Sequence, residues 1–375
     1  MSINVQPREK IYYNINITGK STKGSFTSDA SFNVYLNQSL LDDVSKYQFL
    51  VEKFKIDTES IPLFYVDIQN PQPPVSNNLN FITNYTIYTF DNFGNLCSVP
   101  VLYSNPTNKP ARVVKIDPSG NVYYDKQDEC FAIYSYDVFI SCINDALNQL
   151  FNDAQLTLRQ PSFFQYDHTL EKVCLYTYLP PSSLILKGLQ IYFSMNLHPF
   201  IGEAFNTIWY ETGVPGIDDD VYSINIEADI RLQDIVSIDG NNYIKMIQEY
   251  QAMSSWASIN RILIVSQKLP IKREYYPISN TNGIITETLT SYENLVSMNI
   301  ICSYLFPSTT PSDYRTNITY SSPTIDTADL IEMTNSGPLR ELDIQALWSD
   351  KNGNIYPIQL GYNKQVNLRL CFVRK

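Results

Sequence analysis

The amino-acid sequence predicts an all-β protein built as a sandwich, and three observations support this class. First, Tyr occurs 28 times and charged residues make up only 17% of the 375 residues, a balance that suits pleated, half-buried sheets. Second, many short segments alternate apolar and polar residues with a period of two and end at Pro, Gly or Asn. Third, strand-rich blocks at both chain ends flank a centre with one helix, which indicates a nested insertion.

The N-terminal block opens with a strand pattern that ends at Gly19. Its apolar face is formed by Ile11, Tyr13, Ile15 and Ile17. Further strands are predicted in 30–36, 47–58 and 62–68, and 38–47 predicts a turn or one helical turn between them. The Pro-rich stretch "NPQPPVSNN" at 70–78 is the first break, because Pro removes the donors that a sheet ladder needs.

The central block combines hairpins with the one convincing helix. Hairpins are predicted about Phe93-Gly94-Asn95 and about 117–120. The helix is predicted over 136–154 with Asp137 as its N-cap, because apolar residues recur at helical spacing. These residues are Phe139, Ile143, Ala146, Leu147, Leu150 and Phe151. After it, 161–167 and 172–181 predict a strand pair joined through His168, 187–194 predicts a strand, and 211–223 predicts a long turn-rich loop.

The C-terminal block returns to strands, in 259–271, 294–306, 315–320 and the closing stretch from 341 onwards. In the closing stretch, one face is predicted to carry Leu342, Ile344, Ala346 and Trp348. Asn352-Gly353 supplies a tight reversal. A last alternating run follows with Val366, Leu368, Leu370 and Phe372. Because chain ends usually fray, a core-like final strand predicts that both termini are held in one sandwich, with Trp348 buried.

Charge and hydropathy exclude several classes of partner. The formal net charge is −11, and no cluster of Lys and Arg is present that could follow a phosphate backbone, so no nucleic-acid groove is predicted. The densest basic segment, "KREYY" at 272–276, is interpreted as a solvated loop edge. No segment has the ~20 apolar residues of a membrane span, and the N-terminus lacks the apolar stretch of a signal peptide. The sequence therefore predicts a soluble protein made in the cytosol.

The residues that carry chemistry form no recognisable catalytic, cofactor or metal motif, so no catalytic, cofactor-binding or metal-binding residue and no cofactor is predicted. His168 and His198 are isolated and are interpreted as structural or solvated. The six cysteines are interpreted as buried thiols of a reducing compartment: Cys97, Cys130, Cys142, Cys174, Cys302 and Cys371. The acidic residues of 217–220 leave calcium binding open, although a solvated turn is favoured because the spacing of a known calcium loop is missing.

Four stretches, in order along nearly the whole chain, carry a family resemblance. The most specific is the C-terminal "PLRELDIQALWSDKNGNIYPIQLGYNKQVNLRLCFVRK". It resembles the C-terminus of the penton (minor capsid, vertex) proteins of virophages and Polinton-like double-stranded DNA viruses. Three more stretches resemble the same family: "KIYYNINITG" with "SLLDDVSKYQFLVEKFKIDTESIPLF", "YDVFISCINDALNQLF" with "PSFFQYDHTLEKVCLYTY", and "IQEYQAMSSWASINRILIVSQKLPIKREYYP".

The resemblance implies a structural capsid protein without enzymatic activity. Its fold would be an eight-stranded single jelly roll built from both chain ends, 1–70 and 240–375, with 71–239 as a β-rich insertion domain that carries the helix. Five copies would form the penton at each icosahedral vertex of the virion, against a major capsid protein with a double jelly roll. Other minor capsid proteins or a host receptor are further candidate partners.

Two other classes of function stay open on the residues alone. One is a carbohydrate-binding or receptor-binding adhesin, because exposed aromatic rings on a β-sandwich can stack on sugars. Trp209 is the candidate platform, although a buried anchor is the favoured interpretation of that residue. The other is a hydrolase, for which the 38 acidic residues single out no pair of carboxylates.

Overall fold

The structure is a computed structural model. It describes residues 9–19, 28–67, 80–104, 115–116, 122–123, 130–156, 160–179, 190–211, 213–225, 234–252, 256–257, 259–271, 274–277, 295–305, 317–322, 330–351 and 355–375. The chain divides into two compact units. Unit 1 comprises Met1–Pro62, Asn108–Asp125 and Ser258–Lys375, and unit 2 comprises Leu63–Thr107 and Lys126–Ala257.

The described strands are numbered in chain order. They are β1 (Lys10–Thr18), β2 (Ser28–Asp29), β3 (Ser31–Tyr35), β4 (Tyr47–Asp57), β5 (Phe64–Asp67), β6 (Asn80–Phe90), β7 (Leu96–Ser104), β8 (Lys115–Ile116), β9 (Val122–Tyr123), β10 (Cys130–Ile133), β11 (Phe163–Asp167), β12 (Lys172–Tyr178), β13 (Tyr192–Ser194), β14 (Thr207–Tyr210), β15 (Val221–Ile224), β16 (Asp234–Ile238), β17 (Asn241–Ile247), β18 (Ile259–Ser266), β19 (Glu274–Pro277), β20 (Leu295–Leu305), β21 (Asn317–Ser321), β22 (Ile331–Glu332), β23 (Glu341–Asp350), β24 (Ile355–Pro357), β25 (Gln359–Leu360) and β26 (Gln365–Arg374). The helical segments are α1 (Tyr136–Asp153), 3-10 turns at Val44–Lys46 and Met195–Leu197, and a π-helical turn at His198–Gly202.

Unit 1 is a jelly roll of two antiparallel sheets. The first sheet has the order β1–β26–β4–β21, and β22 also pairs with β4. The second sheet has the order β19–β20–β18–β23. The edge of β23 that faces away from β18 pairs first with β3 and then with β24. Along the chain, β1, β4, β21 and β26 belong to the first sheet and β3, β18, β20 and β23 to the second. This alternation is the double Greek key of an eight-stranded jelly roll, and unit 2 is inserted between β4 and β18. The predicted fold class is confirmed.

The first sheet shows why the chain end does not fray. Strand β26 pairs with β1 along its whole length, from Lys10 opposite Val373 to Thr18 opposite Gln365. Its other edge pairs with β4, where Phe372 lies opposite Phe49 with the ring centroids 5.6 Å apart. The last strand therefore lies inside the sheet with neighbours on both sides, as the alternating pattern predicted.

The second sheet buries the predicted face of the closing stretch. Trp348 is 2% exposed and shares its buried face with Leu342, Ile344 and Ala346. It lies opposite Ile262 of β18 on one side, and on the other it stacks on Tyr356 at 4.4 Å. The prediction of a buried Trp348 is confirmed. The predicted turn at 352–353 lies outside the described residues, although the antiparallel pairing of β23 with β24 shows the reversal itself.

The opposite face of this sheet is also buried near Trp348, which the period-two pattern did not predict. A second apolar cluster there contains Leu263, Val265, Leu347 and Ile355, with Ile300 packed against it. The predicted hairpin about 117–120 is present as the pair β8–β9, and β8 contacts β24. A strand from the chain's central block thus lies beside the closing strands of the jelly roll.

Unit 2 packs α1 against strands of two different sheets. The sheets have the orders β14–β15–β13–β6–β7 and β11–β12–β17–β16, and α1 contacts β6, β7 and β11. All six apolar residues of the predicted helix stripe are buried. The predicted N-cap is wrong: Ser135, with extended backbone angles, is the N-cap, and Asp137 lies in the first turn. The predicted hairpin about Phe93 is confirmed, and Gly94 supplies its positive φ of 84°.

The units differ from the predicted domain boundaries at three places. Unit 2 begins at Leu63 rather than 71, because β5 pairs with β10. It ends at Ala257 rather than 239, because β17 completes the sheet of β12 and β16. The segment Asn108–Asp125, predicted within the insertion, belongs to unit 1. The predicted loop 211–223 is also shorter, because β15 begins at Val221.

Candidate functional site

Two ion pairs lie along the seam, the part of the first sheet in which β1, β26 and β4 pair side by side. Arg374 Nη1 lies 2.9 Å from Glu9 Oε2, and Arg369 Nε lies 3.1 Å from Glu52 Oε2. The guanidinium of Arg369 also sits 4.3 Å from the ring centroid of Tyr12. The exposed Arg374–Glu9 pair adds little stability, and the buried apolar residues of β1, β4 and β26 hold the strands together. The seam therefore has a structural role, and its Cys371 thiol is buried.

His168 occupies the turn between β11 and β12, as predicted. Its Nε2 lies 3.0 Å from Asp137 Oδ2, and both side chains are more than half exposed. The Asp167 carboxylate accepts hydrogen bonds from the backbone N–H groups of Leu170 and Thr169, which lowers the pKa of Asp167. The imidazole therefore links the turn to the first turn of α1 at the surface.

His198 is packed among aromatic rings. Its ring centroid lies 4.9 Å from that of Trp209 and 5.0 Å from that of Tyr222. Gly202 permits this packing, because a Cβ at that position would come within 2.7 Å of His198 Cδ2 and 2.6 Å of Tyr222 Cε2. Burial lowers the pKa of His198, since removal from water disfavours the imidazolium. The neutral ring is thus a packing element of unit 2.

Trp209 is 56% exposed, so the interpretation as a buried anchor is wrong. The reason is position: β14 lies at the edge of its sheet and pairs with β15, opposite Tyr222. The indole is nevertheless held, because Nε1 donates to Thr207 Oγ1 at 3.1 Å and His198 meets the ring edge to face. A large apolar ring is thereby presented to solvent in a defined orientation.

A small open cavity of about 80 Å³ lies beside this ring. Its lining residues are Met195, Trp209, Tyr210, Glu211, Asp220 and Val221. The Tyr210 ring is turned towards Tyr192, 5.3 Å away, and its hydroxyl accepts a hydrogen bond from Gln190 Nε2. Glu211 and Asp220 are exposed and place two carboxylates at the rim. Sequence reasoning singled out the indole but missed its neighbours, because the β14–β15 hairpin brings them together only on folding.

The remaining sequence candidates do not converge on one site. Asp218, Asp219 and Asp220 are exposed, and the described part of the chain contains no group of three or more His, Cys, Asp or Glu side chains placed to hold a metal ion. Residues 274–276 of the basic segment belong to strand β19 rather than to a loop, whereas 272–273 lie outside the described residues.

The described cysteines are free thiols. Cys142, Cys174 and Cys371 are buried as predicted, whereas Cys97 and Cys302 are partly buried. Burial raises the pKa of Cys302 to about 12, so this thiol is protonated at neutral pH. The predicted burial of the Cys130 side chain lies outside what the structure describes.

Two complete Greek keys closed by both chain ends place the protein in the class of jelly-roll proteins, to which viral capsid subunits belong. Within that class, the chain belongs to the Sputnik minor capsid protein V18/19 family, whose family model matches residues 11–374. The family resemblance of the sequence is confirmed. Membership defines a structural role in the viral capsid and a location in the virion.

Two curated relatives come from the Sputnik virophage. Structural protein V19 is 27% identical over 225 residues, which cover 57% of this chain and 94% of the relative. The uncharacterized protein V18 is 31% identical over 177 residues, which cover 42% of this chain and 93% of the relative. Both relatives are thus matched over nearly their whole length.

Two solved structures share the fold over nearly the whole chain. A chain of the Sputnik virophage, determined by cryo-EM, superposes with a TM-score of 0.70 at 24% identity, covering 99% of both chains. The crystal structure of the mavirus penton protein superposes with a TM-score of 0.61 at 15% identity, covering 98% of this chain and 100% of that protein. No helix among the described residues is long and apolar enough to cross a membrane.

Proposed function

We propose that the protein is the penton subunit of an icosahedral virion, with five copies forming a ring at each vertex. The observation that carries this proposal is the similarity to the mavirus penton protein, which covers 98% of this chain and therefore includes the insertion as well as the jelly roll. An icosahedral vertex has five-fold symmetry, so a protein that fills it with identical subunits does so with five.

A closed ring of identical subunits needs two different surfaces that complement each other on neighbouring copies. Unit 1 exposes large apolar side chains at separate places: Tyr35 is 65% exposed, Leu305 58% and Tyr362 69%. Exposed aromatic and aliphatic groups of this size are the anchors that protein interfaces bury. They support subunit contacts made through the jelly roll.

The edge strand β1 of unit 1 favours subunit contacts through side chains over backbone pairing with a strand of another molecule. Strand β1 forms one edge of the first sheet, and its exposed residues include Lys10, Asn14 and Asn16. Charged and polar side chains on an edge strand disfavour the addition of a foreign strand. Such a subunit would assemble through complementary side-chain surfaces, which a closed ring requires.

A penton subunit is a structural component of the virion and binds other capsid proteins. We propose that the protein has no enzymatic activity; the capsid family and the packing or surface contacts of both histidines support this. Its partners at the vertex are a double-jelly-roll major capsid protein and, at the exposed surface, other minor capsid proteins or a host receptor. The net charge of −11 disfavours a nucleic-acid partner. Synthesis takes place in the cytosol of the infected cell.

Native mass spectrometry and negative-stain images of the purified full-length chain test the ring. The expected species has five times the subunit mass of 43.1 kDa and appears as a five-fold ring. Replacing Tyr35, Leu305 and Tyr362 together by Ser should convert rings to monomers without lowering the melting temperature. Phe93→Ala, which removes an exposed ring from unit 2, is the matched control.

Two outcomes would contradict this proposal. A wild-type chain that stays monomeric at about 100 µM, alone and with the major capsid protein, would exclude the penton assignment. Rings that persist in the triple Ser variant would exclude these three side chains as subunit contacts.

A further inference from the structure

We propose that Trp209 and the cavity beside it form a binding site for a neutral pyranose of a glycan. The penton proposal does not require this site, and the site does not depend on five-fold assembly. It rests on three features of unit 2: a presented indole, a cavity next to it, and hydrogen-bond acceptors at the rim.

The Trp209 indole is exposed and already held in one orientation in the absence of a ligand. Of the three tryptophans, Trp256 and Trp348 are 4% and 2% exposed, whereas Trp209 is 56% exposed. The contact with His198 and the hydrogen bond to Thr207 hold its orientation. A sugar ring presents C–H groups on its flat faces, and these pack on the electron-rich face of an aromatic ring. A platform that is already ordered loses little freedom on binding.

The rim supplies the polar half of the recognition. Glu211 and Asp220 line the cavity together with Trp209, and carboxylate oxygens accept hydrogen bonds from hydroxyl groups. One edge of the sugar would enter this open cavity while the ring face rests on the indole. Small-molecule sites usually combine apolar and aromatic side chains with a few polar groups, as Trp209 and the two carboxylates do here.

Charge decides which glycans fit. Asp218 and Asp219 are exposed on the same loop as Asp220, so the rim carries negative charge on a protein that is itself acidic. Carboxylated and sulfated sugars would be repelled, whereas neutral hexoses and N-acetylhexosamines would not.

A cationic ligand is the competing occupant, because cations also bind beside indoles and carboxylates. Recognition of an organic cation usually uses a cage of several rings. Here the second ring that lines the cavity, Tyr210, packs against Tyr192 and its hydroxyl is hydrogen-bonded to Gln190, so it is engaged within the fold. A single flat platform with acceptors beside it favours a sugar.

The test uses the full-length protein on an array of neutral, sialylated and sulfated glycans. Fluorescence titration follows with the neutral hexoses, the N-acetylhexosamines and a Lys-rich peptide. Because Trp209 is the exposed tryptophan, a sugar stacked on it should change the intrinsic emission saturably. A single hexose is expected to bind with a Kd on the order of 1 mM. Trp209→Ala should weaken binding about tenfold or more, and Glu211→Gln with Asp220→Asn should weaken it less.

A control variant separates loss of the Trp209 site from a general loss of exposed aromatic surface. Phe93→Ala removes another exposed aromatic ring of unit 2 and should bind as the wild type does. If Trp209→Ala does not fold, Trp209→Phe and the two rim variants replace it, and reduced binding in them is the expected result. Three outcomes overturn the proposal: no neutral glycan binds, binding is unchanged in the Trp209 variants, or only acidic glycans or Lys-rich peptides bind. Native mass spectra of the same samples report the ring separately, so failure of either proposal is distinguishable.

Discussion

Replacing Trp348 by Ala should destabilise the jelly roll and disassemble any ring that it forms. Trp348 is 2% exposed, lies opposite Ile262 and stacks on Tyr356 at 4.4 Å. The substitution leaves a cavity between β18 and β24 on the inner face of β23. Because β18, β23 and β24 are all paired through this position, the loss affects the centre of the second sheet.

The size of the effect follows from the buried area. A buried aromatic side chain removes about 150–250 Å² from water, which at ~25 cal/mol per Å² corresponds to about 4–6 kcal/mol. Replacement of a buried Phe or Trp by Ala, in which the lost transfer free energy and the residual cavity both contribute, typically costs about 3–5 kcal/mol. Tyr356 also loses its stacking partner, a contribution of about 1 kcal/mol. A loss of about 4 kcal/mol is a large share of the ~5–15 kcal/mol that stabilises a domain.

Thermal unfolding and native mass spectrometry measure both consequences. In a unit of this size, 1 kcal/mol shifts the melting temperature by about 2–4 °C, so a decrease of about 8–16 °C is expected. Rings should disappear together with the stability, because the subunit surfaces depend on the fold. Trp209→Ala is the matched control, since it makes the same chemical change at a residue that is 56% exposed, and it should lower the melting temperature much less. A melting temperature and ring content equal to the wild type in Trp348→Ala would refute the reasoning.

Four further predictions follow from other parts of the structure. Truncation after Arg369 removes the half of β26 that pairs with residues 47–51 of β4. Circular dichroism and limited proteolysis should therefore show loss of the folded jelly roll. A folded product that resists proteolysis would mean that the last residues are dispensable. His168→Gln and His198→Gln should each leave ring assembly and infectivity essentially intact; particles that assemble normally but do not infect would contradict a purely structural role. Because burial lowers the pKa of His198, its contribution to stability is complete above the ordinary value of about 6.5 and is lost as the pH falls towards the lowered value. Melting temperatures should therefore decline on acidification below pH 6.5 in the wild type and less in His198→Gln, and equal declines would exclude His198 as the cause. Because burial raises the pKa of Cys302 to about 12, iodoacetamide at pH 8 should modify it in the unfolded protein but not in the native protein; alkylation at the same rate in both states would show that the thiol is accessible.

Local pattern predicted much of the fold because the apolar periodicity of a strand is imposed by the core that it faces. Residues 342–346 show this directly: Leu342, Ile344 and Ala346 are buried and the residues between them are less so, as the alternation required. The helix over 136–153 was equally visible, because its apolar stripe is continuous over four turns. Pairing partners were not visible. The approach of β8 to β24, which assigns a segment of the central block to unit 1, depends on contacts more than two hundred residues apart in the chain.

The candidate glycan site shows the same division between sequence and tertiary structure. Sequence alone identified an all-β chain with both ends in one sandwich, and its specific C-terminal stretch identified the capsid family. It could not assign the exposure of Trp209, because an indole in a short strand is buried in a central strand and exposed in an edge strand. The place of β14 at the sheet edge decided this, and the β14–β15 hairpin then brought Glu211 and Asp220 beside the ring. Period-two patterns report which residues face a core, whereas the order of strands in a sheet is decided by pairing between distant segments.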